Sequence, residues 1–331
     1  MAPGRRLATA AIVWLTLAGA TAACGGSNES GPSAGCRSDG PTLALAHTTP
    51  GAIGSYGVLV AARSGATTRV TRNWVATDPS FSPDGRRLVV VRADGDYESS
   101  GPGSTALWLV GADGTGARAL TNVSDDGVAP QDTRPAWSPD GRTVAFSRRL
   151  PNRLQVAGRG PAFRLMAVPA DGGDARPLVD NDGAADFAPA WSPDGSRLAF
   201  IRERWVSGDR KSSVWTARAD GTGAHQLADV PDGVSVRWRP DGDAVVVNAG
   251  GGVFLVDVDT GEPTLLAIDA ALAAWAPDGE HLYWWAAGDT DGEWRLVEGR
   301  IVGEKLHADR NVGPVEHDIS PTLGLAVSPC A

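Results

Sequence analysis

Trp191-Ser-Pro-Asp-Gly-Ser-Arg-Leu-Ala-Phe-Ile201 decides how this chain is read. An aromatic residue leads into a turn: Pro presets φ, Asp bonds back to the backbone, and Gly accepts positive φ. A short apolar run of strand length follows. The same plan stands at Phe81-Ser-Pro-Asp-Gly85 before Leu88-Val-Val-Val91, and at Trp137-Ser-Pro-Asp-Gly141 before Val144-Ala-Phe146. It returns at Trp238-Arg-Pro-Asp-Gly242 before Ala244-Val-Val-Val247, and at Trp275-Ala-Pro-Asp-Gly279 before Leu282-Tyr-Trp-Trp285. Weaker copies start at Cys36-Arg-Ser-Asp-Gly40 and Ile319-Ser-Pro-Thr322.

Between these starts lies a second signal. Leu107-Trp-Leu-Val110, Ala112-Asp-Gly-Thr-Gly116 and Arg118-Ala-Leu-Thr121 read as strand, tight turn and strand. Val214 to Gly223 and Val253 to Gly261 repeat that plan, and looser versions run over 58–70, 165–178 and 294–306. Each unit therefore predicts four antiparallel strands, here called a to d. The starts are 37 to 56 residues apart, the period of one propeller blade. Six hairpins for seven starts predict an all-β, six-bladed β-propeller in which 317–327 completes the first blade. Closing the ring this way buries the sheet edges. The recurrent Trp or Phe before each turn is expected to pack blade against blade, each ring contributing about 2–3 kcal/mol.

The repeated [Trp/Phe]-Ser-Pro-Asp-Gly turns with their Asp-Gly hairpins resemble the TolB-type, WD-repeat-like β-propellers of bacterial envelope proteins. The resemblance covers roughly 36–331 and implies the fold more than the function, because such blades serve scaffolds, binders and enzyme accessory domains alike. TolB carries an α/β domain ahead of its propeller, for which no room is expected between Cys24 and Cys36. Similar propellers precede the catalytic domain of prolyl-oligopeptidase-like peptidases, and a further domain of that kind is not expected within these 331 residues.

Composition agrees with many short elements: 42 Gly and 23 Pro are too much punctuation for a helical bundle. A formal net charge of −9 argues against general nucleic-acid binding, which needs a basic face. At the amino terminus, Arg5 and Arg6 precede an uncharged run from Leu7 to Ala20. That run is too short to span a bilayer, which takes about 20 residues, and has the proportions of an export signal. Thr21-Ala22-Ala23 before Cys24-Gly25-Gly26 resembles a lipoprotein cleavage site. The expected organisation is a signal peptide over 1–23, a tether over 24–35 beginning at lipidated Cys24, and the propeller over 36–331. The product would sit on the outer side of the cell membrane, with an outer membrane as the alternative. Cys36 and Cys330 are then an even pair in an exported chain, and ring closure brings both to one blade. A disulfide between them is expected.

Antiparallel order puts the tight a–b and c–d turns on one face and the longer b–c loops and d–a connections on the other. Loops over 93–105, 148–162 and 202–213 make that second face the expected binding surface. Asp78, Asp132, Asp186, Asp232, Asp269 and Asp318 each lie a few residues ahead of an a-strand aromatic position. They are candidates for an acidic ring at the channel mouth, against the alternative of ordinary turn residues. Arg148, Arg149, Arg153 and Arg159 in one loop, and Arg202, Arg204, Arg210 and Lys211 in another, are candidates for steering an anionic group.

No cofactor and no metal site are expected. His47, His225, His281, His307 and His317 lack close ligand spacing, and the acidic clusters at 94–96, 180–182 and 289–293 do not complete a calcium-loop pattern. A structural cation is the one inorganic ligand left open. The chain is expected to be a monomeric binding or scaffolding module rather than an enzyme. Its expected partners are an envelope protein or anionic envelope polymer, and the membrane through its lipid. The alternative is a propeller lyase or metal-dependent hydrolase acting on glycan or peptide in the channel.

Overall fold

The structure, a computed structural model, describes residues 41–48, 56–62, 67–71, 75–93, 104–121, 131–149, 163–180, 183–207, 209–250, 252–288, 293–317 and 325–329. The expected signal peptide and tether, the Cys36–Cys330 pair, Asp318, Arg153 and Arg159 lie outside these residues. Every regular element among the described residues is a strand.

The strands come in fours. β1 (Pro41–Thr48), β2 (Tyr56–Ala62) and β3 (Thr67–Arg69) run antiparallel. The next meander is β4 (Ala76–Phe81), β5 (Arg87–Ala93), β6 (Thr105–Gly111) and β7 (Arg118–Ala119). It is followed by β8 (Gln131–Trp137), β9 (Thr143–Arg149), β10 (Phe163–Pro169) and β11 (Arg176–Pro177). A single parallel bridge, Thr105 to Gln131, joins these two meanders into one eight-stranded sheet. Then come β12 (Ala185–Trp191), β13 (Arg197–Val206), β14 (Asp209–Arg218) and β15 (His225–Asp229). The fifth set is β16 (Gly233–Trp238), β17 (Ala244–Ala249), β18 (Gly252–Asp257) and β19 (Pro263–Ile268). The sixth is β20 (Ala270–Trp275), β21 (His281–Ala287), β22 (Glu293–Val302) and β23 (Lys305–His317). The last strand, β24 (Leu325–Val327), returns to pair antiparallel with β1, Leu43 facing Val327 and Leu45 facing Leu325.

Each meander packs on both of its faces, which explains why the b strands read as continuous apolar runs rather than alternating ones. Val89 and Val91 join Trp137, Val144 and Phe146 in one core, while Leu88 and Val90 join Ala44, Val58 and Val60 in another. Leu165 and Ala167 pack with Leu198 and Phe200; Ile201 and Val214 with Val236 and Val247; Val246 and Val253 with Leu282 and Trp284. The sixth cluster joins the last meander to the first, with Tyr283, Trp285 and Leu296 against Leu43, Leu45 and Leu325.

The repeated motif is a set of fixed bonds. Ser82 Oγ donates to Asp84 and accepts from the Arg87 N–H, while Asp84 accepts from the Arg86 N–H. Ser138 with Asp140, and Ser192 with Asp194, do the same. Hydrogen bonds from Ser192 and Ser196 hold the Asp194 carboxyl down to about 2. The aromatic residue reaches into the neighbouring meander. Trp137 Nε1 donates to Ser80 O at 3.2 Å, Trp191 to Ala136 O at 3.2 Å, and Trp238 to Ala190 O at 3.0 Å. Each acceptor immediately precedes the aromatic residue of the preceding meander. The expected packing role of these rings is thus met by a directional bond as well as by area.

One expected loop is ordered structure. Residues 202–213 are largely paired as the far end of the β13–β14 hairpin, from Arg202 opposite Ser213 to Val206 opposite Asp209.

Candidate functional site

The first strands of four meanders, β4, β8, β12 and β20, are bent at a common point. Counting back from the aromatic residue, Asp78, Arg134, Ala188 and Leu272 all stand three positions before it, and all have positive φ (47°, 51°, 53° and 48°). At each of them the pairing with the next strand slips, as between Thr77 and Ser80 or Thr133 and Ala136. Such backbone is costly for residues with side chains, about 1–3 kcal/mol each, and is retained where the surroundings over-determine it. Buried Ser147 helps by accepting the Ala188 N–H at 2.9 Å, and Asn248 Oδ1 accepts the Ala273 N–H at 2.8 Å.

The bends at Asp78, Arg134 and Leu272 deliver side chains to a small, partly open cavity. Its charged lining is Asp78, Arg134 and Arg237; Pro79, Pro135 and Leu272 are among the apolar groups beside them. Burial pushes the Asp78 carboxyl up, against the pull of the Arg134 charge, the Arg134 backbone N–H that it accepts, and Arg237. Burial likewise pulls Arg134 down, opposed by Asp78 and Glu203. It pulls Arg237 down as well, opposed by Asp78 and aided by the like charge of Arg134. The Arg134 guanidinium lies 5.1 Å from the Phe187 ring centre, and Arg237 donates to Val236 O at 2.9 Å. Two guanidinium groups thus share one carboxylate.

The five candidate aspartates among the described residues do not assemble as a ring. Of these five, only Asp78 lines this cavity. Asp132 faces Arg148 across β8 and β9 and is clamped by it, Nε to Oδ1 at 2.7 Å and Nη2 to Oδ2 at 2.8 Å. Asp186 faces Arg202 in the same way, at 2.6 and 2.7 Å, and Arg202 also donates to Asp180 O. Burial pushes the Asp186 carboxyl up, against the pull of the Arg202 fork. Asp232 and Asp269 are exposed, with positive φ, and accept backbone N–H groups of Gly250 and Ala287 through their carbonyls.

The basic set is likewise redistributed. Arg148 and Arg202 are the clamps just described. Arg149 donates to Gln131, and Arg210 bridges Glu203 and Asp232 at 3.3 and 2.7 Å. Exposed Arg204 lies 5.2 Å from the Trp215 ring centre, and Lys211 is exposed. Between them, at the hairpin tip, Trp205 is 39% and Val206 50% exposed. The residues that sequence reasoning missed are therefore Arg134 and Arg237 in the cavity, with Trp205 and Val206 at the tip. His281 contacts the turn residue Asp278 at 2.8 Å.

Among the described residues, no three His, Cys, Asp or Glu side chains come together as a metal site.

Four-stranded antiparallel meanders packed face to face define the class, and the fold is that of β-propeller proteins. In solved structures it is similar to the propeller of a nidogen/laminin complex, with TM-score 0.60, 12% identity, and 87% of this chain and 98% of that one covered. A TolB candidate from Agrobacterium tumefaciens gives 0.58 with 14% identity, covering 86% and 96%, and a puromycin hydrolase gives 0.52 with 17% identity, covering 86% and 55%. No family model matches the chain. Among curated proteins it is 29% identical over 209 residues to the uncharacterised peptidase YuxL of Bacillus subtilis, covering 62% of this chain and 28% of YuxL. It is 33% identical over 105 residues to the Tol-Pal system protein TolB of Anaeromyxobacter sp. strain K, covering 31% of this chain and 21% of TolB. The chain thus spans about a quarter of the length of these relatives. The TolB-like β-propeller resemblance stands. The expectation that the chain is not an enzyme is corrected by the peptidase similarities, to YuxL in sequence and to puromycin hydrolase in fold. The absence of close histidine spacing, on which that expectation rested, does not bear on a kinship carried by the propeller repeats themselves.

Proposed function

We propose that this chain is an extracytoplasmic, lipid-anchored six-bladed propeller that binds an envelope protein or polymer through its b–c face. The observation that carries the reading is the β13–β14 hairpin, an ordered projection on that face with Trp205 and Val206 exposed at its tip and Arg204 and Lys211 beside them. An exposed aromatic flanked by cations is the composition of an interface anchor rather than of an ordinary turn. The pairing of β24 with β1 and the core joining the sixth meander to the first support a closed ring. The similarity to TolB supports an envelope location. In the same reading Cys24 carries the lipid and Cys36 is bonded to Cys330, a closure that would contribute about 4–5 kcal/mol through loop entropy. Two free thiols in the denatured, unreduced protein would remove that bond from the account.

The test is crosslinking in intact cells with the wild type and with a Trp205→Ala, Val206→Ser double variant. The variant is expected to keep its melting temperature and lose the crosslinked partner. Retention of every partner would end the hairpin's role. The YuxL and puromycin hydrolase similarities support a second reading, in which the propeller holds a peptide for hydrolysis. Release of p-nitroaniline from aminoacyl anilides by the purified chain would favour it.

A further inference from the structure

The charge pattern of the cavity differs from that around the other buried arginines. Arg148 and Arg202 each hold a whole carboxylate in a two-bond clamp. Among the described lining residues, Asp78 is the one carboxylate beside Arg134 and Arg237, and it spends part of its hydrogen-bonding capacity on the Arg134 backbone N–H. Glu203 acts on Arg134 through its charge but is itself engaged by Arg210. The described lining therefore carries one positive charge in excess, with two guanidinium groups to one carboxylate. The backbone at both Asp78 and Arg134 is held at positive φ to bring these side chains inward. The same bend recurs at Ala188 and Leu272 and so belongs to the repeat; at these two positions it carries charged side chains to a shared cavity.

We propose that this cavity is a binding site for a single carboxylate group, gripped by Arg134 and Arg237 and restrained on its third side by Asp78. The chemistry follows from the charges. A metal cation would meet two guanidinium groups. A phosphate dianion would meet the Asp78 carboxylate at close range and overshoot the single excess charge. A monoanionic carboxylate neutralises the cavity and matches the planar fork of arginine. Pro79, Pro135, Leu272 and Leu325 offer apolar walls to the carbon atoms behind it. The proposal goes beyond the b–c face reading and does not depend on the hairpin.

The experiment is titration of the purified full chain with sodium acetate at constant ionic strength, sodium chloride being the matched control. Binding is followed by calorimetry and by broadening of the acetate methyl resonance. Wild type is expected to bind acetate saturably and chloride at least tenfold more weakly. Arg134→Gln and Arg237→Gln should each weaken acetate binding tenfold or more. Asp78→Asn, which removes the competing negative charge, should tighten it severalfold. Because an arginine variant could lose its fold, near-ultraviolet circular dichroism accompanies each, and the Asp78→Asn arm decides by itself. Acetate binding no stronger than chloride in both wild type and Asp78→Asn overturns the proposal, as does unchanged affinity in folded Arg134→Gln. Tighter binding of N-acetylglutamate amide than of acetate assigns the group to a polypeptide side chain, and the reverse order assigns it to a free organic acid.

Discussion

At the scale of single residues, an aspartate's meaning here depends on its offset from the aromatic residue that follows. Asp78 stands three positions ahead and enters the cavity; Asp132 and Asp186 stand five ahead and face an arginine across the strand pair; Asp232 and Asp269 stand six ahead and end the connecting turn. Treating them as equivalent produced the expectation of an acidic ring. The same offsets carry a stability prediction. Arg202 is 3% and Asp186 0% exposed at the side chain, so Asp186→Ala strands a buried guanidinium. It is expected to cost about 3–5 kcal/mol in urea unfolding. The double variant Asp186→Leu, Arg202→Met should recover most of that loss, since the pair pays a desolvation penalty of its own. Equal destabilisation by the single and double variants would show that the pair has no such coupling. Arg148 is 22% exposed, so Asp132→Ala should cost less than Asp186→Ala.

At the scale of elements, the strands and tight turns were legible because each copy of the motif carries its own bonding instructions. The Ser and Asp side chains satisfy the turn's backbone donors, and the apolar runs are buried on both sides. The outer half of the β13–β14 hairpin was not legible. Arg204-Trp-Val206 is exposed throughout, and a strand end that pairs only with its own return reads as a loop. Arg134 and Arg237 were hidden for another reason. A charged residue inside an a strand looks like ordinary alternation until the meanders are laid over one another and its offset is counted. The indole bonds give a further prediction. Trp137, Trp191 and Trp238 each donate to the preceding meander, whereas buried Trp275 Nε1 has no acceptor among the described residues. Trp238→Phe should therefore cost about 1 kcal/mol more than Trp275→Phe in thermal unfolding, the contribution of one hydrogen bond. The two rings are similarly buried, at 7% and 8% exposure, so lost area does not separate them. Equal losses would remove the directional bond from the account of how meanders join.

At the scale of the whole molecule, each meander shares a core with the next, and the sixth shares one with the first. Removing 325–331 should leave the β1 edge unpaired and the Leu43 and Leu45 core open. The expected result is a broadened, lower-temperature melt and concentration-dependent association. A sharp, unshifted melt would show that β24 adds nothing to the assembly. The adjacency of β24 and β1 has one more consequence. In the closed-ring reading proposed above, where the polypeptide starts and stops is a matter of where the circle was cut, not of which sheets touch. A permuted gene, with β24 spliced ahead of β1 and new termini opened at the exposed Asp220-Gly-Thr-Gly223 turn, should yield the same molecule. It would also move any tail the protein carries from one flank to another without altering what lies in the middle.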